Sequence, residues 1–259
     1  MRSVSPARGG AARPSEGGEF EIGYVEVDSG EQRAALAAVW GVPFEACLPV
    51  RGFPSYKGQR NLVGRWWTST TGCHVGYESW LERDRLMLLD FDPEVVGVAA
   101  QPFWLFWETA EGKRRSHAPD YFARLADGSG LVLDCRPLDR IQPRDADAFA
   151  ATRRACAEVG WGYEVAGAPD PVRMANVRWL SGYRHPRHYR PEVAEAVEAA
   201  SGGGAELSAV AESAGDPIAV LPVLFHLLWC GRLVADLSIP LSPVSEVVVA
   251  GPVGCSAAR

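Results

Sequence analysis

The stretch "SHAPDYFARLADGSGLVLDCRP", residues 116–137, decides how this chain is read. Two short apolar runs flank Asp127-Gly128, and Asp-Gly between apolar runs is a hairpin signal, because glycine accepts the positive φ that such turns need. With the turn there, facing residues have numbers that sum to about 254–256, and Asp120 with Asp134 sum to 254. Side chains that face each other across antiparallel strands lie roughly 5 Å apart, and like charges at that distance are destabilising. A bound cation would resolve the conflict. So would solvent, if both carboxylates faced outward.

Outward from the hairpin, residues 77–91 carry apolar side chains at 77, 80, 81, 87, 88 and 91, close to helical spacing. Residues 94–109 are strand material interrupted at Pro102, residues 144–160 are a helix stopped by Gly160, and 161–167 are a further strand. The order from 77 to 167 is therefore α-β-β-β-α-β, and its last strand–helix–strand crossover should be right-handed with parallel strands. Before this core the sequence predicts a strand over 19–27, a helix over 31–40 and a hairpin over 64–79; after it, a helix within 168–190 with basic residues exposed. Beyond a Ser-Gly-Gly-Gly break at 201–204, "AELSAVAES" and "DPIAVLPVLFHLLWCG" read as short helices, and "RLVADLS" and "SEVVVAG" as a two-stranded wing. The expected fold is α/β: a mixed-sheet core over 20–185, a winged-helix-like domain over 186–250, and tails at 1–19 and 251–259.

Composition narrows the function. The 259 residues are 47% hydrophobic and 22% charged, an ordinary globular balance. No apolar run reaches membrane-span length, and the first residues lack the apolar core of a signal peptide, so a cytoplasmic protein without membrane contact is expected. The six cysteines show no C-x-x-C pairing, which fits reduced thiols, and no cysteine pair joins His185 and His188 in a zinc pattern. Residues 191–259 hold eight acids and two bases, which accounts for the whole net charge of −6. Within the neutral remainder, 51–72 and 172–191 carry arginines and lysine without any acid, a stripe able to hold phosphates.

Phosphodiester hydrolysis requires a divalent cation to polarise the phosphate and steer water, and Mg²⁺ takes oxygen ligands. Asp120 and Asp134 can supply carboxylates from facing strands, and Glu82 a third from the helix at 79–90. Arg136, two residues past Asp134, shares its strand face and adds positive charge where the transition state gains negative charge. Bland roles compete with these. Ser79 and Glu82 form a capping box, which alone explains Glu82. Glu78, one turn earlier, is the reserve ligand, and His117 contacts phosphate, contacts a carboxylate or is structural. In "SYKGQRNLVGRWW", Lys57, Arg60 and Arg65 interleave with Tyr56, Trp66 and Trp67 as a DNA-backbone surface would, or the tryptophans pack the loop onto the sheet.

Glu82, Gln101-Pro102-Phe103, Pro119-Asp120 and Asp134-Cys135-Arg136, in this order, resemble the PD-(D/E)xK nucleases. More closely they resemble the TnsA-like endonuclease subunits of heteromeric transposases. The resemblance spans roughly 50–185, and the wing-like tail agrees with the family's C-terminal domain. It implies a restriction-endonuclease-like core that cuts DNA at transposon ends, with Mg²⁺ (Mn²⁺ substituting) on Glu82, Asp120 and Asp134 and with Gln101 behind them. It also implies an integrase-type transposase subunit and an ATPase regulator as partners, the regulator through the C-terminal domain. Arg136 stands where the family has lysine. Arginine cannot act as a base, although it holds phosphate oxygens bidentately, so a silent DNA- and partner-binding adaptor is the first alternative, and a stand-alone restriction or repair nuclease the second.

Overall fold

A computed structural model describes residues 19–53 and 62–251. The expected tails, apart from Glu19 and Gly251, lie outside the described residues, as do Lys57 and Arg60. In chain order the elements are β1 (Glu21–Glu26), β2 (Gly30–Ala35), α1 (Leu36–Val39), β3 (Gly64–Trp67), β4 (His74–Tyr77), α2 (Trp80–Phe91), β5 (Val95–Ala100), β6 (Trp104–Glu108) and β7 (Arg114–His117). There follow β8 (Tyr121–Leu125), β9 (Gly130–Cys135), α3 (Pro143–Glu158), β10 (Gly162–Ala166), α4 (Pro171–Leu180), α5 (Pro191–Ser201), β11 (Ala205–Glu206), α6 (Leu207–Ala214), α7 (Pro217–Trp229), β12 (Leu233–Val234) and β13 (Glu246–Val249). The described residues thus form a mixed α/β fold with several sheets and seven α-helices. No described helix is long and apolar enough to cross a membrane, and none of the five described cysteines is in a disulfide.

Contacts divide these residues into two units, 19–53 with 96–167 and 62–95 with 168–251. This division falls elsewhere than the boundary read at 185/186. The reason is packing: Met87 of α2 and Met174, Val177 and Leu180 of α4 are buried in one cluster with Val197, Val210, Leu224 and Leu227 of α5, α6 and α7.

The first unit holds two four-stranded sheets, ordered β10-β9-β8-β5 and β2-β1-β6-β7. The β8–β9 hairpin forms as expected. Asp127 caps its turn by accepting from the backbone N–H and hydroxyl of Ser129 at 2.9 and 2.6 Å, and Gly128 sits at φ +84. Tyr121 faces Leu133 and Phe122 faces Val132, so partner numbers sum to 254. Gly130 is needed for a close approach, since a Cβ there would lie 2.8 Å from the Phe122 ring and 2.9 Å from Trp161. β10 runs parallel to β9, as a crossover through α3 requires.

The core between these layers is aromatic. Phe44, fully buried, meets Tyr24, Phe103, Phe122 and Trp161 edge-on at centroid distances of 5.2–5.7 Å. From α3, Ala151, Ala155 and Cys156 join the same cluster at helical spacing.

Two elements differ from the sequence reading. The helix expected over 31–40 is strand up to Ala35 and helix only over Leu36–Val39. Its first half completes a hairpin about Asp28-Ser29-Gly30, and Arg33 pairs with Glu21 and lies over the Phe106 ring at 4.1 Å. Cross-strand pairing overrides alanine's helix preference, which is a weak prior at this length. The stretch 94–109 is two strands, β5 and β6, in different sheets. Its corner is Gln101-Pro102, where proline lacks the ladder N–H and Gln101 adopts φ +48.

In the second unit, α5, α6 and α7 alternate with a small sheet of order β11-β13-β12. Buried Asn176 of α4 donates to the carbonyls of Leu237 and Ile239 and accepts from the Leu241 N–H, which fixes the loop between β12 and β13. Helix α5 and strand β11 were not read from the sequence. The Arg190-Pro191 start of α5 carries no side-chain cap hydrogen bond, and β11 is only two residues long.

Candidate active site

The β8–β9 register, continued one step past Tyr121 and Leu133, brings Asp120 opposite Asp134. Neither carboxylate is solvated in the way that two outward-facing acids would be. Asp120 Oδ2 accepts the Cys135 N–H at 2.7 Å, which locks the end of β9 to the chain just before β8. Asp134 is 2% exposed, and both of its oxygens are engaged. The Tyr163 hydroxyl donates to Oδ2 at 2.6 Å, and His117 Nε2 lies 2.8 Å from Oδ1. In the tautomer with its proton on Nε2, His117 donates to this oxygen.

Each partner arrives for a reason of topology. His117 ends β7 in the second sheet, opposite Leu105, and its ring meets Phe149 of α3 edge-on at 5.9 Å. Tyr163 lies on β10 opposite Val132, two residues before Asp134, so the parallel register puts it on the same face as the carboxylate. Burial, then the Asp134 charge, pushes the Tyr163 phenol far above its ordinary value, so it stays protonated as a donor. The same two causes push the Cys156 thiol up to about 12. Like charges across the hairpin are thus tolerated by hydrogen bonds from protein groups.

Arg136 lies just beyond β9. Its N–H donates to Ala166 O at 3.0 Å, extending the ladder with β10, and its side chain is 47% exposed with Nε 3.8 Å from Asp145 Oδ2. That separation exceeds hydrogen-bond range, so the guanidinium is only loosely tethered. Gln101 is 1% exposed; its N–H donates to Asp120 O at 2.9 Å, and its carbonyl accepts from Val50. Its side-chain Oε1 is buried without a hydrogen-bond partner. A left-handed non-glycine residue and a buried orphan acceptor both cost free energy. Gln101→Gly should therefore be more stable than Gln101→Ala by about 1 kcal/mol in urea unfolding, the reverse of the usual order, because only glycine relieves the positive φ.

Glu82 belongs to the second unit. It forms the capping box read from the sequence: its N–H donates to Ser79 Oγ at 3.1 Å, Oε2 accepts the Glu78 N–H at 2.7 Å, and Oε1 accepts from Ser79 Oγ at 2.8 Å. Of the remaining sequence candidates, Glu78 lends this box its backbone N–H. Arg65 is exposed on β3, just before two tryptophans that are tied down: Trp66 Nε1 donates to buried Asp90, and Trp67 Nε1 to Gly72 O.

Asp120, Asp134 and Glu82 offer the oxygen donors that a divalent cation takes. Both oxygens of Asp134 and of Glu82 and one oxygen of Asp120 already accept from protein donors. Among the described residues no group of three or more His, Cys, Asp or Glu is placed to hold a metal ion. The sequence reading missed Tyr163, whose only signal was the parallel register of the β9–α3–β10 crossover. Compared with known proteins, the chain matches no family model and no curated protein.

Proposed function

We propose that the chain is a DNA endonuclease subunit of a heteromeric transposase, acting in the cytoplasm on phosphodiester bonds at transposon ends. The observation that carries this reading is the opposition of Asp120 and Asp134 at the end of β8–β9, within a sheet of order β10-β9-β8-β5. The chain order α2, β5, β6, β7, β8, β9, α3, β10, with β5, β8, β9 and β10 in one sheet and β6 and β7 in the other, supports a restriction-endonuclease-like core. The succession α5, β11, α6, α7, β12, β13, with sheet order β11-β13-β12, supports a winged helix.

In this reading Glu82, Asp120 and Asp134 take Mg²⁺ or Mn²⁺, which supplies charge neutralisation at the phosphate. Arg136 holds a phosphate oxygen, Glu78 and Gln101 support the ligands, and Lys57, Arg60, Arg65 and His117 meet DNA. Helix α7 is buried from Val223 through Trp229 and carries no Lys or Arg, so it has no face suited to a DNA groove. That supports the winged helix as a docking domain for the transposase subunit and the ATPase regulator.

A second reading, the silent adaptor, is favoured by the hydrogen bonds already made by Asp134 and Glu82. Nicking of a transposon-end duplex with Mg²⁺, with and without the partner transposase, separates the two. The endonuclease reading expects metal-dependent nicks that vanish in Asp120→Ala. Wild-type protein that never nicks, with either metal and any partner, would leave only the adaptor.

A further inference from the structure

The second unit carries a basic surface around Arg65. On the β3–β4 hairpin, Arg65 and Trp67 share one face by strand alternation, and His74 lies directly opposite Trp67. The His185 ring stacks on Trp67 at 5.0 Å and 25°, and its Nδ1 accepts the Arg187 N–H at 3.1 Å. Arg184 anchors this join from beneath: its Nε donates to Trp67 O at 3.0 Å, and its guanidinium lies over the Trp66 ring at 4.0 Å. Arg65, His74, His185 and Arg187 are therefore exposed on one continuous surface drawn from two distant segments.

Charge pairing distinguishes this surface from several other arginines of the same unit. Arg83 and Arg178 of the same unit reach Asp84 at 2.7 and 2.9 Å, and Arg232 reaches Glu198 at 2.7 Å. Arg65 and Arg187 have no carboxylate partner among the described residues, and residues 51–77 and 171–191 contain no acid at all. Unpaired arginines, Arg65 on the β3–β4 hairpin and Arg187 in the turn Pro186–His188, suit phosphate oxygens, which position a nucleic acid without reading its sequence. Trp67 has one face covered by His185 and its Nε1 bound to Gly72 O, so it is not an open platform for unstacked bases.

We propose that this face, with Arg65 and Arg187 as its principal contacts, tracks the phosphate backbone of duplex DNA. The inference rests on the proposed function only for DNA as the partner. It holds for cutter and adaptor alike. The test is fluorescence anisotropy of full-length protein with a labelled end-sequence duplex and an unrelated duplex, across a salt series in EDTA, where no cleavage occurs. Arg65→Ala/Arg187→Ala should flatten the slope of log K against log salt by about 0.9 for each lost phosphate contact, equally on both duplexes. The double lysine variant should keep most of the slope, and Arg33→Ala, which removes a paired arginine of the other unit, should leave it unchanged. An unaltered slope in the double alanine variant, or a loss confined to the end sequence, would overturn the proposal. Because metal and cleavage are absent, failure here is distinct from failure to nick.

Discussion

Asp134→Ala is expected to lower the stability of the metal-free protein by about 2–5 kcal/mol, because two donors lose their shared acceptor at about 1–3 kcal/mol each. The change strips the acceptor from the Tyr163 hydroxyl and from His117 Nε2 together. Both donors would be left in a site where Asp134 is only 2% exposed, and each unsatisfied donor carries a penalty of its own. Tyr163→Phe, which deletes one donor and leaves the carboxylate accepting from His117, should cost only about 1 kcal/mol. Urea unfolding reads both as shifts of the midpoint at constant m-value. A carboxylate kept solely for a cation would behave in the opposite way, because removing one of two facing negative charges would leave the apo protein unchanged or more stable. A large loss for Asp134→Ala therefore assigns the residue a strut between β9, β10 and β7, whatever its part in cleavage.

If the chain is the endonuclease proposed above, Arg136→Ala is expected to lower metal-dependent nicking by the order of 10²–10³-fold, the effect of losing one preorganised electrostatic group at a transition state. The side chain suits that role: it is half exposed and only loosely tethered to Asp145, so a phosphate oxygen can displace the carboxylate at little cost. Its backbone is held by the Arg136 N–H to Ala166 O bond, which the substitution preserves, so stability should change little. Arg136→Lys should keep more activity than Ala, because it retains the charge but not the bidentate fork. Single-turnover nicking of end-sequence DNA measures all three proteins. A gain of activity on Arg136→Lys from a silent wild type would instead identify an adaptor silenced by arginine at this position. Nicking that Arg136→Ala leaves unaltered would move the phosphate contact to another basic residue such as Arg115.

Where chemistry is local, the sequence by itself was sufficient. Asp127-Gly128 between apolar runs determined the β8–β9 hairpin and its register, because a turn that needs positive φ and a side chain that caps its own backbone are properties of adjacent residues. Ser79 and Glu82 determined the start of α2 for the same reason. The α3–β10 crossover followed from spacing alone.

Only the tertiary structure decided which donors the two aspartates accept from. Opposition of Asp120 and Asp134 was legible, but the donors that satisfy Asp134 come from β7 and β10, 17 and 29 residues away in the chain. No pattern of period 2 or 3.6 brings β7 of one sheet against β9 of another; the aromatic core around Phe44 does. The helix misread over 31–40 has the same cause, since the partner that turns Gly30–Ala35 into strand is β1 across a turn. The division into units also depends on packing: α2 and α4 are amphipathic helices whose apolar faces fit more than one neighbour, and burial with α5, α6 and α7 chose between them. Hydrogen-bonded turns and caps are settled within a few residues, whereas a buried carboxylate takes whichever donors the assembled core presents.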